Sequence, residues 1–151
     1  IAVLVNNAGI YLPGDVTTEP EGRLERLLEV NLMSAYRLTR SLLENCPPRH
    51  IFNVCSIASL QAYAGGGSYS ISKFALLGFS KNLREELKPR GIKVTAILPG
   101  ATWSDSWRGV DLPESRLMQA SDIADMTWAA FNLSPSAVVE DIVLRPQLGD
   151  L

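Results

Sequence analysis

Chemistry-bearing residues that often announce a function are scarce in this chain. There is one histidine and there are two cysteines in 151 residues. His50 has no second histidine or cysteine near it at ligand spacing, so no metal site is expected, and its place at a strand start suggests a surface residue. Cys46 and Cys55 lack disulfide-type spacing and fit a reducing, cytoplasmic setting. No apolar run approaches the ~20 residues of a membrane span, and no signal-peptide pattern is visible. A net charge of −2 leaves no basic excess to attract nucleic acid or an anionic membrane, so neither is expected as a partner. Internal repeats and low-complexity tracts are also missing.

What remains is globular. Hydrophobic residues make up 46% and charged residues 20%, values of a packed domain, and the length predicts a single domain over 1–151. The chain opens on "IAVLV" without an initiator methionine. That abrupt start, in a strand of buried type, reads as a domain truncated at its beginning.

Strand and helix patterns alternate. "IAVLV" (1–5) is a continuous apolar run, as in a strand covered on both faces. A helix is predicted at about 20–44, a strand at "HIFNVCS" (50–56), a helix at 68–88, a strand at "IKVTAIL" (92–98), a helix at about 121–132 and a last strand at "DIVLRP" (141–146). This order predicts an α/β domain with an open parallel sheet. Residues 101–120, with Trp103, Trp107 and Pro113, show no regular pattern, and a stretch of that length suggests a loop that covers a substrate.

Ligands of such sheets bind beyond the carboxyl ends of the strands. The residues there are Asn6, Asn7, Ala8 and Gly9 after the first strand, Ser56 after the second, and Pro99 and Gly100 after the third. Tyr69 and Lys73 start the helix that follows the second strand. Leu76, Leu83 and Leu87 form that helix's core stripe. Tyr69 falls on it and Lys73 about 40° away, so a lysine faces inward, where lysine is rare without a partner. Ser68 is the expected N-cap. In the first long helix, Leu24, Leu28, Ala35, Leu38 and Leu42 form the predicted core stripe, and Asn31 lies in its middle. A core amide must be hydrogen-bonded. It is either a satisfied structural asparagine or one that bends the helix or holds a water behind the site.

Together "NNAG" (6–9), Asn31 in "VNLMSAYRLTR", Ser56 in "NVCSIAS", "YSISK" (69–73) and "PG" (99–100) resemble the short-chain dehydrogenase/reductase family. Ser56 stands thirteen residues before Tyr69, a spacing similar to the compact single-domain branch. The resemblance implies a Rossmann-like, doubly wound parallel sheet and an oxidoreductase that interconverts a carbonyl and an alcohol with NAD or NADP. Asn31, Ser56, Tyr69 and Lys73 would be catalytic. Asn7, Ala8, Gly9, Tyr69, Lys73, Pro99, Gly100, Thr102 and Ser104 would bind cofactor, and Ser56, Ala58, Tyr63 and Trp103 would meet the small-molecule substrate. Thr102, Ser104 and Cys55 depart mildly from the usual residues.

No G-x-G-x-x-G phosphate loop follows a strand here, so the chain is expected to be a C-terminal catalytic portion. It would then hold only the later strands and helices and would be inactive alone. A non-catalytic binding or regulatory protein that kept the fold is the alternative.

The proposed chemistry needs an acid near pH 7, whereas free tyrosine titrates near 10. The expected role of Lys73 is to lower Tyr69, with the helix N-terminus adding its partial positive charge. Finally, Ile71, Phe74, Ala75 and Gly78 on one long helix, and Leu32, Tyr36 and Leu43 on the other, are apolar away from the core stripes. They predict a homodimer or homotetramer joined through the helices at 20–44 and 68–88.

Overall fold

The computed structural model describes residues 1–104, 107 and 109–150. Four parallel strands pair in chain order: β1 (Val3–Asn6), β2 (His50–Val54), β3 (Lys93–Pro99) and β4 (Asp141–Leu144). Between β1 and β2 run α1 (Arg23–Leu28), a π-helical turn (Glu29–Met33) and α2 (Ser34–Asn45). Between β2 and β3 lies α3 (Gly67–Leu87), and between β3 and β4 lies α4 (Ala120–Phe131). No described helix is long and apolar enough to cross a membrane.

Alternation along the strands splits the core into two layers. Leu4, Ile51 and Val94 pack on Leu83 and Leu87 of α3, and Ala96 and Leu98 pack on Ala35 and Leu76. On the opposite face Phe52, Ile97 and Ile142 meet Ala130 of α4. The sheet is thus doubly wound. The expectation of a partial fold, with later strands and helices only, is corrected: helices and paired strands run across the whole chain, from β1 at residue 3 to β4 at residue 144. The reason is that the strand–helix alternation begins at residue 3 and each strand finds its partner in the next one.

Three local expectations also change. Val3 and Val5 are exposed while Leu4 and Asn6 are buried, so β1 is covered on one face and its unbroken apolar run hides an ordinary alternation. His50 is buried rather than on the surface: it stacks on Phe52 at 4.0 Å between centroids and shares a hydrogen bond of 2.8 Å with Thr95 Oγ1. In the first long helix Leu27, Asn31, Ala35 and Thr39 are the buried positions, and Leu38 is 48% exposed. The π turn is wider than an α turn, so the stripe keeps a spacing of four and moves on by one residue.

At α3 the chain finds its cap elsewhere. Ser68 does not cap; it sits in the first turn, and both its N–H and its hydroxyl donate to Glu19 Oε1 from the loop after β1. A carboxylate at a helix N-terminus satisfies free N–H groups and complements the dipole. The other end stops at Gly91, whose φ of 67° is the left-handed value that favours glycine.

Candidate active site

Asn31 ties the first loop to α3. Its Oδ1 accepts from Ile10 N at 2.8 Å, and its Nδ2 donates to Ile10 O at 3.0 Å and to Ser72 Oγ at 2.9 Å. Ser72, fully buried, donates in turn to the Tyr69 carbonyl at 2.7 Å. Both amide donors are occupied by protein groups, and the π turn spans the residue. Asn31 is therefore a satisfied amide and also the centre of a helix distortion. The side chain sits 3.4 Å from where a Cβ at Gly9 would stand, and Lys73 Nζ 3.6 Å from it. The backbone after β1, Asn31 and Lys73 meet at this point.

Ser56 follows β2. Its Oγ accepts from Ala58 N at 3.1 Å, and its own N–H donates to Ser59 Oγ at 3.2 Å. The turn thereby fixes the serine and leaves its hydroxyl proton free to be donated. The Tyr69 phenol lies near this hydroxyl, and Ser56 pulls the phenol's pKa down. Ala58 is buried inside the same turn and offers its N–H to Ser56. Tyr63 lies nearly half exposed beyond it.

Lys73 is buried on the inner side of α3, as its angular position predicts. Its ammonium donates to the Val54 carbonyl at 3.0 Å and lies 5.9 Å from the Tyr69 ring centroid. Burial lowers the lysine's pKa, with Cys55 pulling the other way. Burial also raises the Tyr69 pKa above its ordinary value, and Ser56 is the group that opposes this rise. The expected depression of Tyr69 by Lys73 does not appear in this state, because the ammonium is turned to a backbone carbonyl beneath the ring. Cys55, beside the lysine, is pushed up to about 12, chiefly by burial, and remains a thiol.

The third strand contributes its end. Gly100 N donates to Leu144 O at 2.7 Å, and a Cβ there would press on Asp150 at 2.8 Å. Thr102 Oγ1 donates to Gly100 O at 3.0 Å, and Thr102 pairs with Met118. Trp103 N donates to Met118 O at 2.8 Å. Asn7, Ala8, Gly9 and Ser104 are exposed, and Pro99 and Gly100 half-buried. All stand at the carboxyl edge of the sheet, where Ser56 and the start of α3 also lie.

Four features were missed from the sequence. Tyr11 sets its ring edge-on to Tyr69, at 4.9 Å and 88°. Ser72 links Asn31 to the Tyr69 turn. Glu19 caps α3. Behind the site, Asn6 Nδ2 donates to Thr39 Oγ1 at 3.0 Å and to Asn53 Oδ1 at 2.7 Å, and Asn53 Nδ2 donates to Ser80 Oγ at 2.6 Å. This buried row joins β1, α2, β2 and α3. A polar residue amid apolar strand positions, as with Asn53 in "HIFNVCS", was its available signal. For Tyr11 and Glu19 there was none.

Comparison with known proteins points to one family. The family model for short chain dehydrogenase matches residues 1–114. The sepiapterin reductase of Chlorobaculum tepidum is 31% identical over 155 residues, covering 100% of this chain and 64% of that enzyme. A putative ketoacyl reductase of the monensin polyketide synthase from Streptomyces virginiae is 42% identical over 106 residues, covering 66% of this chain and 40% of that protein. Among solved structures, the serine dehydrogenase of Escherichia coli superposes with a TM-score of 0.78 at 27% identity, covering 95% of this chain and 62% of that one. The chain spans less than two thirds of the length of each of these relatives. The family model takes in residues 1–114, which corrects the expectation that the chain is only a C-terminal catalytic portion of the fold.

Proposed function

The chain belongs to the short chain dehydrogenase family, and on that premise we propose that the protein is an NAD- or NADP-dependent oxidoreductase that interconverts a carbonyl and an alcohol. The observation that carries this reading is the convergence at Tyr69: a buried ammonium 5.9 Å from its ring, with the Ser56 hydroxyl close enough to lower the phenol's pKa.

The residues present suit a dinucleotide. Gly9 leaves bare backbone beside Asn31 and Lys73, where an added Cβ would come to 3.4 Å and 3.6 Å from their polar atoms and fill that space. Asn7, Ala8 and Gly9 would line the nucleotide, Lys73 would turn from Val54 toward a ribose hydroxyl, and Pro99, Gly100, Thr102 and Ser104 would hold the nicotinamide end. When bound, the cofactor supplies or accepts the hydride.

The protein's own residues handle the proton. In reduction Tyr69 gives its phenolic proton to the substrate oxygen, and in oxidation it takes that proton back. Burial keeps the phenol protonated, which is the form a proton donor needs. Ser56 donates a hydrogen bond where negative charge develops on the substrate oxygen. Lys73 stabilises the phenolate left behind; a unit charge at that range is worth up to a few kcal/mol. Asn31 holds the first loop and, through Ser72, the Tyr69 turn. Trp103 from the segment 101–120 and Tyr63 would meet the substrate; Asp105, Ser106 and Arg108 of that segment lie outside the described residues. The test is consumption of NADH or NADPH with a panel of ketones and aldehydes. No consumption of either cofactor with any of them would reject the reading.

The outer faces of α2 and α3 favour a homo-oligomer. Tyr36, Ile71 and Phe74 are exposed, and a Cβ on Gly78 would meet nothing within 4 Å. A groove of about 560 Å³ runs between the helices past Tyr36, Leu43 and Phe79. These faces would join two copies into a homodimer, alone or within a tetramer.

A further inference from the structure

Tyr11 plays no part in the proton chemistry above, yet it touches the residue that performs it. Its ring stands edge-on to Tyr69, at 4.9 Å between centroids and 88° between planes, a favoured arrangement for aromatic pairs. The ring is not spent on the core, since Tyr11 is 45% exposed and Tyr63 beside it 43%. Burial raises the Tyr63 pKa and the neighbouring Tyr11 phenol raises it further, so the two phenols stand side by side. The result is a continuous aromatic surface that begins at the catalytic phenol and extends outward.

That surface is held in place before any substrate arrives. Tyr11 follows Ile10, whose N–H and carbonyl are both engaged by Asn31. The loop after Tyr11 is pinned to the Tyr63 loop by Gly14 N donating to Gly65 O at 2.9 Å, by Gly65 N donating to Asp15 Oδ1 at 3.2 Å, and by Ser68 N donating to Glu19 Oε1 at 3.1 Å. The contact is close enough that a Cβ at Gly67 would run into the Gly14 carbonyl. Ring surface fixed in advance loses little entropy on binding.

Resting on the oxidoreductase reading, we infer that Tyr11, supported by Tyr63, is the specificity-determining residue of this site and selects carbonyl compounds that carry an aryl or other flat apolar group on the carbonyl carbon. A substrate oxygen placed between Ser56 and Tyr69 puts one substituent on the Tyr11 side. The wall there offers ring surface and a phenol hydroxyl, which suit a planar neutral group.

The experiment compares kcat/KM for an aryl methyl ketone and for a small aliphatic ketone, in wild type, Tyr11→Ala and Tyr11→Phe, with thermal melting to verify folding. Wild type should prefer the aryl ketone. Tyr11→Ala should lose about tenfold on it, chiefly through KM, and change little on the aliphatic ketone. Tyr11→Phe should keep the preference. Equal losses on both ketones, no loss on either, or a wild type without preference would overturn the inference and leave the oxidoreductase reading standing. A wild type that reduces neither ketone would overturn the inference, and the oxidoreductase reading falls with it only if the whole ketone and aldehyde panel also fails.

Discussion

Lys73 lies under Tyr69 with its ammonium 5.9 Å from the ring centroid, but its hydrogen bond goes to the Val54 carbonyl at 3.0 Å. The lysine is in reach of the phenol and is not engaged with it. The free protein therefore holds a protonated tyrosine, and charge stabilisation comes into play as the proton leaves.

The first prediction follows directly. In the cofactor-free protein Tyr69 should titrate above the ordinary tyrosine value, because burial raises it. The difference in phenolate absorbance between wild type and Tyr69→Phe isolates this one group. An inflection well below 10 would mean that Lys73 already controls the phenol before cofactor binds.

Ser72 should matter to catalysis through Asn31. Removing its hydroxyl leaves a buried amide donor of Asn31 unpaired, at a cost of about 1–3 kcal/mol. Ser72→Ala should lower kcat several-fold with little change in cofactor affinity. In a double-mutant cycle with Asn31→Ala, the two losses should be non-additive. Additive losses would separate the two residues.

Much of this was readable in the sequence, for identifiable reasons. The element order followed from hydrophobic period and from Gly and Pro stops. Lys73 and Asn31 stood out because each is a polar group at a core angle, and the structure buries both. Asn53, Thr39 and Ser80 obey the same logic, but their neighbours masked them. The error at Leu38 came from assuming an unbroken 3.6-residue period through a helix that contains a π turn. Glu19 and Tyr11 act across 49 residues and through a ring contact respectively; neither leaves a local pattern. The direction of the Tyr69 shift depends on where the ammonium points, which spacing alone does not give.

His50 should make stability depend on acid. Thr95 Oγ1 donates to Val139 O at 2.6 Å, so it accepts from His50 Nε2–H, and the buried Nδ1 has no partner. Burial, with Lys93 nearby, lowers the pKa to about 4. The folded state keeps the ring neutral, while the unfolded chain takes up a proton below the usual 6.5. The contribution is complete above that value and is lost as pH falls toward 4, by up to about 3 kcal/mol. Urea unfolding between pH 7 and 4 should show this slope, and His50→Gln should flatten it. An equal slope in both proteins would assign the acid sensitivity to other groups.

Phe74→Glu should break the assembly. Light scattering after size exclusion should give a dimer or tetramer for wild type and a smaller species for the mutant. A monomeric wild type, or a mutant of unchanged mass, would remove α2 and α3 as the interface.

The most direct test of the central claim is Tyr69→Phe in the active protein, read as carbonyl turnover together with the cofactor dissociation constant. Loss of the proton donor should cost about 10²–10⁴-fold in turnover, with cofactor binding nearly unchanged because Lys73 remains. Wild-type turnover in this variant would contradict the account of Tyr69 as the acid and base of the reaction.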